Sequence, residues 1–180
     1  MNKIIILLSL VLLISFSNIK GQVNTLSYSG INNISLGATL DNLNLILKEN
    51  IEIEDIKTKV KNQFFDCKFD TLNLVRNNQN LVLIFNNCRD NKKKKSSKVL
   101  FGIHTKSKKI KTIHNVRIGN SLDVLLDKLG STSYKKHTIS VNGIEQIELV
   151  VLDSKGISLI YYTLQNNIVI GFACEEATYE

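Results

Sequence analysis

Proline and tryptophan are absent from this 180-residue chain, methionine occurs once, and aromatics are limited to five Tyr and seven Phe. Without proline, turns fall to Asn, Gly, Asp, Ser and Lys. Cysteine is scarce: Cys67, Cys88 and Cys174 are an odd set, so at most one intrachain disulfide can form. The three histidines, His104, His114 and His137, have no zinc-type spacing to one another or to a cysteine. No phosphate loop, serine nucleophile elbow or paired-carboxylate phrase occurs. The sequence therefore offers no catalytic residue, no metal ligand and no cofactor-binding residue, and the reading is non-enzymatic. The hydrophobic fraction, 43%, is ordinary for a chain that buries a core.

The one long apolar run is at the start. Met1-Asn2-Lys3 is a short basic opening, Ile4–Ile14 is apolar except for Ser9, and small residues follow. This is the layout of a secretory signal peptide: Ser15-Phe16-Ser17 offers one cleavage site and Gly21 a second, and the signal peptide is taken as residues 1–21. The run falls short of the ~18 apolar residues of a spanning helix, so no transmembrane segment is expected once the signal is removed. No cysteine follows it to carry a bacterial lipid anchor. Cleavage removes Lys3 and Lys20 from the 23 basic residues, leaving 21 against 16 acidic and a net charge of +5. The expected location is secreted or periplasmic, where disulfides persist.

Strand register selects the cysteine pair. The stretches "DCKFDTLNLV" and "NLVLIFNNC" flank Arg76-Asn77-Asn78-Gln79. A two-residue turn at Asn77-Asn78 suits a type I′ hairpin, because Asn tolerates positive φ. That register sets Leu74 opposite Leu81, Leu72 opposite Leu83, and Cys67 opposite Cys88. The cysteines then occupy a non-hydrogen-bonded site, where Cα atoms lie about 4.5 Å apart, within disulfide range. Cys67–Cys88 is the candidate disulfide. Cys174, followed by two glutamates, reads as an unreactive core thiol or as a link between chains.

"NISLGATLDNLNLILKE" at residues 33–49 and "NVRIGNSLDVLLDKLG" at 115–130 align without a gap, which points to an internal repeat. Gly37 and Gly119 permit a turn, Thr39 and Ser121 are placed as helix N-caps, and Asp41 and Asp123 fall in the first turn, where the helix dipole favours them. A further helix is predicted over residues 51–64 from the spacing of Ile53, Ile56 and Val60. Strands are predicted over residues 65–75, 81–87, 99–105 and 110–116, then over 137–141, 144–152, 157–164 and 168–174. "GIHTKSKKIKTI" and "IYYTLQNNIVIG" read as the same final hairpin in each half. The expected fold class is α+β: two tandem modules, each a helical start followed by an antiparallel meander of about four strands, with helices on one face. The signal peptide takes residues 1–21, the first module 22–113 and the second 114–180, and the two sheets are expected to meet edge to edge.

The phrase [IV]x[IL]Gx[ST]LDxL before a helix, with a meander ending "GISLIYYTLQNNIVIGF", resembles the small outer-membrane assembly lipoproteins (BamE-like). The doubled layout resembles the β-lactamase inhibitor protein family, which has two tandem helix-plus-sheet modules. The assembly proteins' lipid-anchor cysteine is missing here. The resemblance implies an exported protein that binds another protein.

Charge concentrates between Arg89 and Lys111. Arg89 and the lysines Lys92, Lys93, Lys94, Lys95, Lys98, Lys106, Lys108, Lys109 and Lys111 face only Asp90. One reading is a solvated hairpin loop flanked by lysines that guard a sheet edge. The functional reading is a partner-binding patch for an acidic protein or an anionic surface, with no nucleic acid expected. Tyr161 and Tyr162 must point to opposite strand faces, one to the core and one outward, where it can anchor a partner. The function expected is an exported, non-catalytic protein-binding module that uses a sheet face and the lysine-rich hairpin. The alternative is a small secreted hydrolase with a site between the modules.

Overall fold

A computed structural model describes residues 24–48, 57–61, 67–76, 79–88 and 98–177. Three short strands come first: β1 (Asn24–Ser27), β2 (Gly30–Ile31) and β3 (Ile34–Ser35), then helix α1 (Leu40–Leu47). Four strands follow: β4 (Lys57–Lys61), β5 (Cys67–Arg76), β6 (Gln79–Cys88) and β7 (Val99–Thr105). Next come β8 (Ile110–Thr112) and helix α2 (Leu122–Leu129). The last four strands are β9 (Tyr134–Val141), β10 (Ile144–Leu152), β11 (Ser158–Gln165) and β12 (Ile168–Glu176).

Eight strands form one antiparallel sheet in the order β4-β5-β6-β7-β12-β11-β10-β9, and four form a small sheet, β3-β2-β1-β8, in which β1 and β8 run parallel. The two meanders join where β7 pairs with β12, through Ile103↔Cys174, His104↔Ala173 and Thr105↔Phe172. One row of buried side chains then crosses both halves: Leu72, Leu83, Ile103, Cys174, Ile160 and Val151. Leu43, Leu47, Leu125 and Leu129 of the helices and Leu26 and Ile31 of the small sheet complete the same core. The opposite face of the large sheet carries half-buried and exposed residues such as Val82, His104, Tyr161 and Val75.

Turn chemistry follows from the asparagines. Asn142-Gly143 (φ 53° and 77°) and Asn166-Asn167 (φ 50° and 60°) supply the paired positive φ of the tight turns joining β9 to β10 and β11 to β12. Asn77-Asn78 stands between Arg76 and Gln79, which pair. From there the register runs unbroken, with Leu74 opposite Leu81, Leu72 opposite Leu83 and Cys67 opposite Cys88.

The two helix phrases dock alike. Thr39 and Ser121 cap their helices, each side-chain oxygen accepting the backbone N–H three residues on, from Asn42 and Val124. Asp41 and Asp123 fall in the first turns. Ahead of α1, Gly37 N–H donates to Leu100 O and Leu100 N–H to Ala38 O; ahead of α2, Gly119 N–H donates to Val169 O and Val169 N–H to Asn120 O. Leu100 on β7 thus corresponds to Val169 on β12. The seam pairs His104 with Ala173, residues that also correspond under that match. A local two-fold axis passes between them.

The architecture corrects the expected fold class. The protein is mostly β, not a pair of α+β modules opened by helices. Among the described residues, three strands precede the first helix, and the two helices have only eight residues each. A short helix contributes little alone, so two packed sheets carry the core. The helix predicted over residues 51–64 lies partly outside the described residues, and where described, at Lys57–Lys61, the chain is a strand. There the segment pairs with β5 as the edge strand of the large sheet, with a register shift between Thr58 and Val60, and edge pairing outweighs the helical spacing. The predicted final hairpin of the first half is also absent: β8 pairs with β1, and β12 takes the place beside β7.

Candidate functional site

The large sheet has one face built into the core and one left open. A trough of about 560 Å³ lies on the open face along the β7–β12 seam. Its floor is Gly171 and Ala173 on β12, flanked by His104 and Lys106 on the first-half side and by Tyr161 and Thr163 on the second. Glu148, opposite Thr163 on β10, and Glu175 complete the charged lining. The depth arises from register: small residues line the middle strand, and larger ones stand on its neighbours at the same levels.

His104 Nε2 is bonded to a carboxylate oxygen of Glu175, an ion pair when the imidazole is protonated. The two come from different halves of the chain, and Gly102 makes their meeting feasible. Gly102 is opposite Glu175 across the seam, and a Cβ added there would lie 2.9 Å from Glu175 Cγ. With no side chain at that point, Glu175 lies across β7 and reaches the imidazole. Tyr161 is half-buried between carboxylates. Burial first, then Glu175 and Glu148, push its phenol up to about 12, so it stays a neutral donor throughout the physiological range.

A second polar cluster lies inside the core. Tyr162 is fully buried, and its O–H donates to Thr112 Oγ1 at 3.0 Å. Its oxygen then accepts from His114 Nδ1 at 2.6 Å, and His114 Nε2 accepts from Tyr28 O–H at 3.2 Å. This chain ties β1–β2, β8 and β11 together. Burial lowers the His114 pKa, and burial raises that of Tyr162. His104 and His114, predicted to lie on adjoining strands, are on opposite sides of the large sheet's layer, because β8 leaves β7.

The sequence candidates divide. Lys92, Lys93, Lys94 and Lys95 lie outside the described residues. Lys98 turns inward, its ammonium 2.9 Å from the buried Asp70 carboxylate, with side-chain exposures of 13% and 2%. Lys106, Lys108 and Lys109 are exposed, Lys106 at the trough, while Lys111 is half-buried and bonded to Asn115 Oδ1. Cys67 and Cys88 are directly opposite on β5 and β6. Cys174 is buried and free, its thiol pushed up to about 12 by burial first and then by Glu175, which suits a core residue and leaves no access for linking chains. Tyr162 is the core tyrosine and Tyr161 the outer one.

Glu148, Glu175 and His104 were not singled out as a group from the sequence. Alternation along each strand could have put Glu148, Tyr161 and Glu175 on one face. No local signal foretold that β12 pairs with β7, and that pairing brings His104 to Glu175. Among the described residues no group of three His, Cys, Asp or Glu side chains converges to hold a metal, and no helix is long and apolar enough to cross a membrane. Compared with known families and with curated proteins, the chain matches none.

Proposed function

We propose that this chain is an exported, non-catalytic protein-binding module, inhibitor-like or an interaction protein of the envelope or extracellular space. It meets its partner with the open face of the eight-stranded sheet and with the lysine-rich hairpin. The observation that carries this reading is the trough itself. One face of the sheet is packed against two helices and the small sheet, while the other presents a seam-centred depression with a half-buried tyrosine and charged walls. Half-buried aromatics beside shaped hollows are typical anchor points of protein interfaces. The rigid antiparallel floor holds them in place before binding, which limits the entropy lost on association. The secretory start and the resemblance to exported binding modules point the same way.

The hydrolase reading has one point in its favour, since the trough lies between the halves and contains a His–Glu pair. A hydrolase of that kind needs a nucleophile activated by the imidazole. Among the described residues, the His104 imidazole is bonded to the Glu175 carboxylate and to no hydroxyl or thiol.

The test is site-specific photo-crosslinking of the mature protein in its own extract, with the crosslinker at Thr163 in the trough and, as a control, at exposed Leu45 on α1. A discrete protein adduct from Thr163, absent from Leu45 and lost when Ala173→Arg fills the trough, is expected. Adducts unaffected by that filling, and by glutamine at Lys92–Lys95, would remove both the face and the hairpin. Hydrolytic activity abolished by His104→Gln would favour the alternative.

A further inference from the structure

The local two-fold relation gives the trough an internal control. Matching Leu100 to Val169 makes Lys106 the counterpart of Glu175. Following the register outward, through Leu83↔Ile103 and Tyr162↔Phe172, makes Val82 the counterpart of Tyr161. Thr71, opposite Ile84, is likewise the counterpart of Glu148, opposite Thr163. The first half thus builds the same part of the sheet with Val, Thr and Lys where the second has Tyr, Glu and Glu. Packing alone does not require an aromatic ring and two carboxylates there.

The three residues also line one hollow. Glu148, opposite Thr163, and Glu175, opposite Leu159, stand to either side of Tyr161, and all three line the trough. Glu175 is shared with His104, whereas Glu148 is half-buried and forms no ion pair with another described residue. The trough holds two carboxylates, one ammonium, Lys106, and the His104 imidazole that Glu175 engages. Glu148 therefore stands as the carboxylate open to a cationic guest, on a chain whose net charge is +7. A chain selected only for a general attraction to anions would not place its carboxylates here.

We propose that the trough receives a basic side chain, an arginine or a lysine, presented by the partner protein. This rests on the open face being the binding surface. The guest's aliphatic stem lies over Gly171 and Ala173. Its cationic end stacks on the Tyr161 ring, a cation–π contact, and forms charge-assisted bonds to Glu148 and Glu175. A guanidinium, planar and with several donors, fits a ring beside two carboxylates better than an ammonium does. Lys106, whose stem lies beside Gly171 on the first-half side of the floor, repels the guest's charge and turns it toward the second-half side, where Tyr161 and Glu148 stand.

The probe is acetyl-Gly-Arg-Gly-amide, titrated into the isotope-labelled mature protein and followed by amide chemical shifts. Citrulline and glutamate versions of the peptide serve as neutral and acidic controls. Shifts confined to β10, β11 and β12 around Glu148, Tyr161 and Gly171 are expected for arginine, with little response to the controls. Glu148→Gln should weaken arginine binding roughly tenfold, the scale of a lost charged hydrogen bond. Tyr161→Phe should keep affinity and Tyr161→Val, the first-half residue, should lower it about threefold, as an exposed cation–π contact implies. Lys106→Gln should tighten binding. These variants change half-exposed surface positions, and unchanged spectra elsewhere verify the fold. Equal response to citrulline, preference for glutamate, or no shift at millimolar arginine peptide would overturn the proposal. If those results came with partner crosslinking that Ala173→Arg still abolishes, the binding-face reading would stand and only the basic guest would fall.

Discussion

His114 is held neutral by its neighbours. Tyr162 donates its proton to Thr112 and so accepts from His114 Nδ1–H, which leaves Nε2 as an acceptor for Tyr28. Burial disfavours the imidazolium, so the folded pKa lies below the ordinary value of about 6.5. A group whose folded pKa is depressed binds fewer protons folded than unfolded in the interval between the two values. Its contribution is therefore complete above about 6.5 and declines as pH falls through the folded value. Urea unfolding of the wild type and His114→Gln should show a difference that shrinks on acidification; a difference that grows as pH falls would refute the assignment. The inward turn of Lys98 gives a second expectation at this scale. Removing one partner of a buried pair costs roughly 3–5 kcal/mol, and because Lys98 keeps some exposure, Lys98→Met should fall at the lower end. An unchanged urea midpoint would show that Asp70 does not depend on the ammonium.

Among the elements, the β5–β6 hairpin was the most legible in the sequence. Arg76 pairs with Gln79, the leucines mark the inward face, and the cysteine register follows. We propose that Cys67 and Cys88 are joined in the oxidised mature protein. Non-reducing peptide mapping should recover one linked peptide pair holding both, and free thiols at both positions after secretion would dismiss it. The helix phrases were equally legible, because capping is local: a hydroxyl, a helical turn and an acidic residue lie within five positions. At Lys57–Lys61 the spacing of Ile53, Ile56 and Val60 predicts a helix, whereas the chain pairs with β5 through an irregular register. Short segments allow both, and the sheet edge decides.

At the scale of the molecule, the β7–β12 seam merges the halves into one sheet with one core. Unfolding should accordingly be a single transition, with amides of β5 and β11 losing native intensity at the same urea concentration; two separated midpoints would mean two independent units. The trough belongs to this scale as well, since its His–Glu pair is assembled from residues on opposite sides of the seam. The local signals were sufficient for tight turns, caps, most strand positions and the opposite aims of Tyr161 and Tyr162, because these depend on neighbours within a few residues. They did not reach the order of strands. Nothing within β7 states whether β8 or β12 will lie beside it, since backbone hydrogen bonds are the same for any partner strand. The choice is made by burial: β8 places Ile110 and Thr112 in the core beside β1, and β12 brings Phe172 and Cys174 against β7. The sequence by itself determined the pieces and which way their side chains face. Only the tertiary structure decided which pieces meet, and so where the open face has its trough.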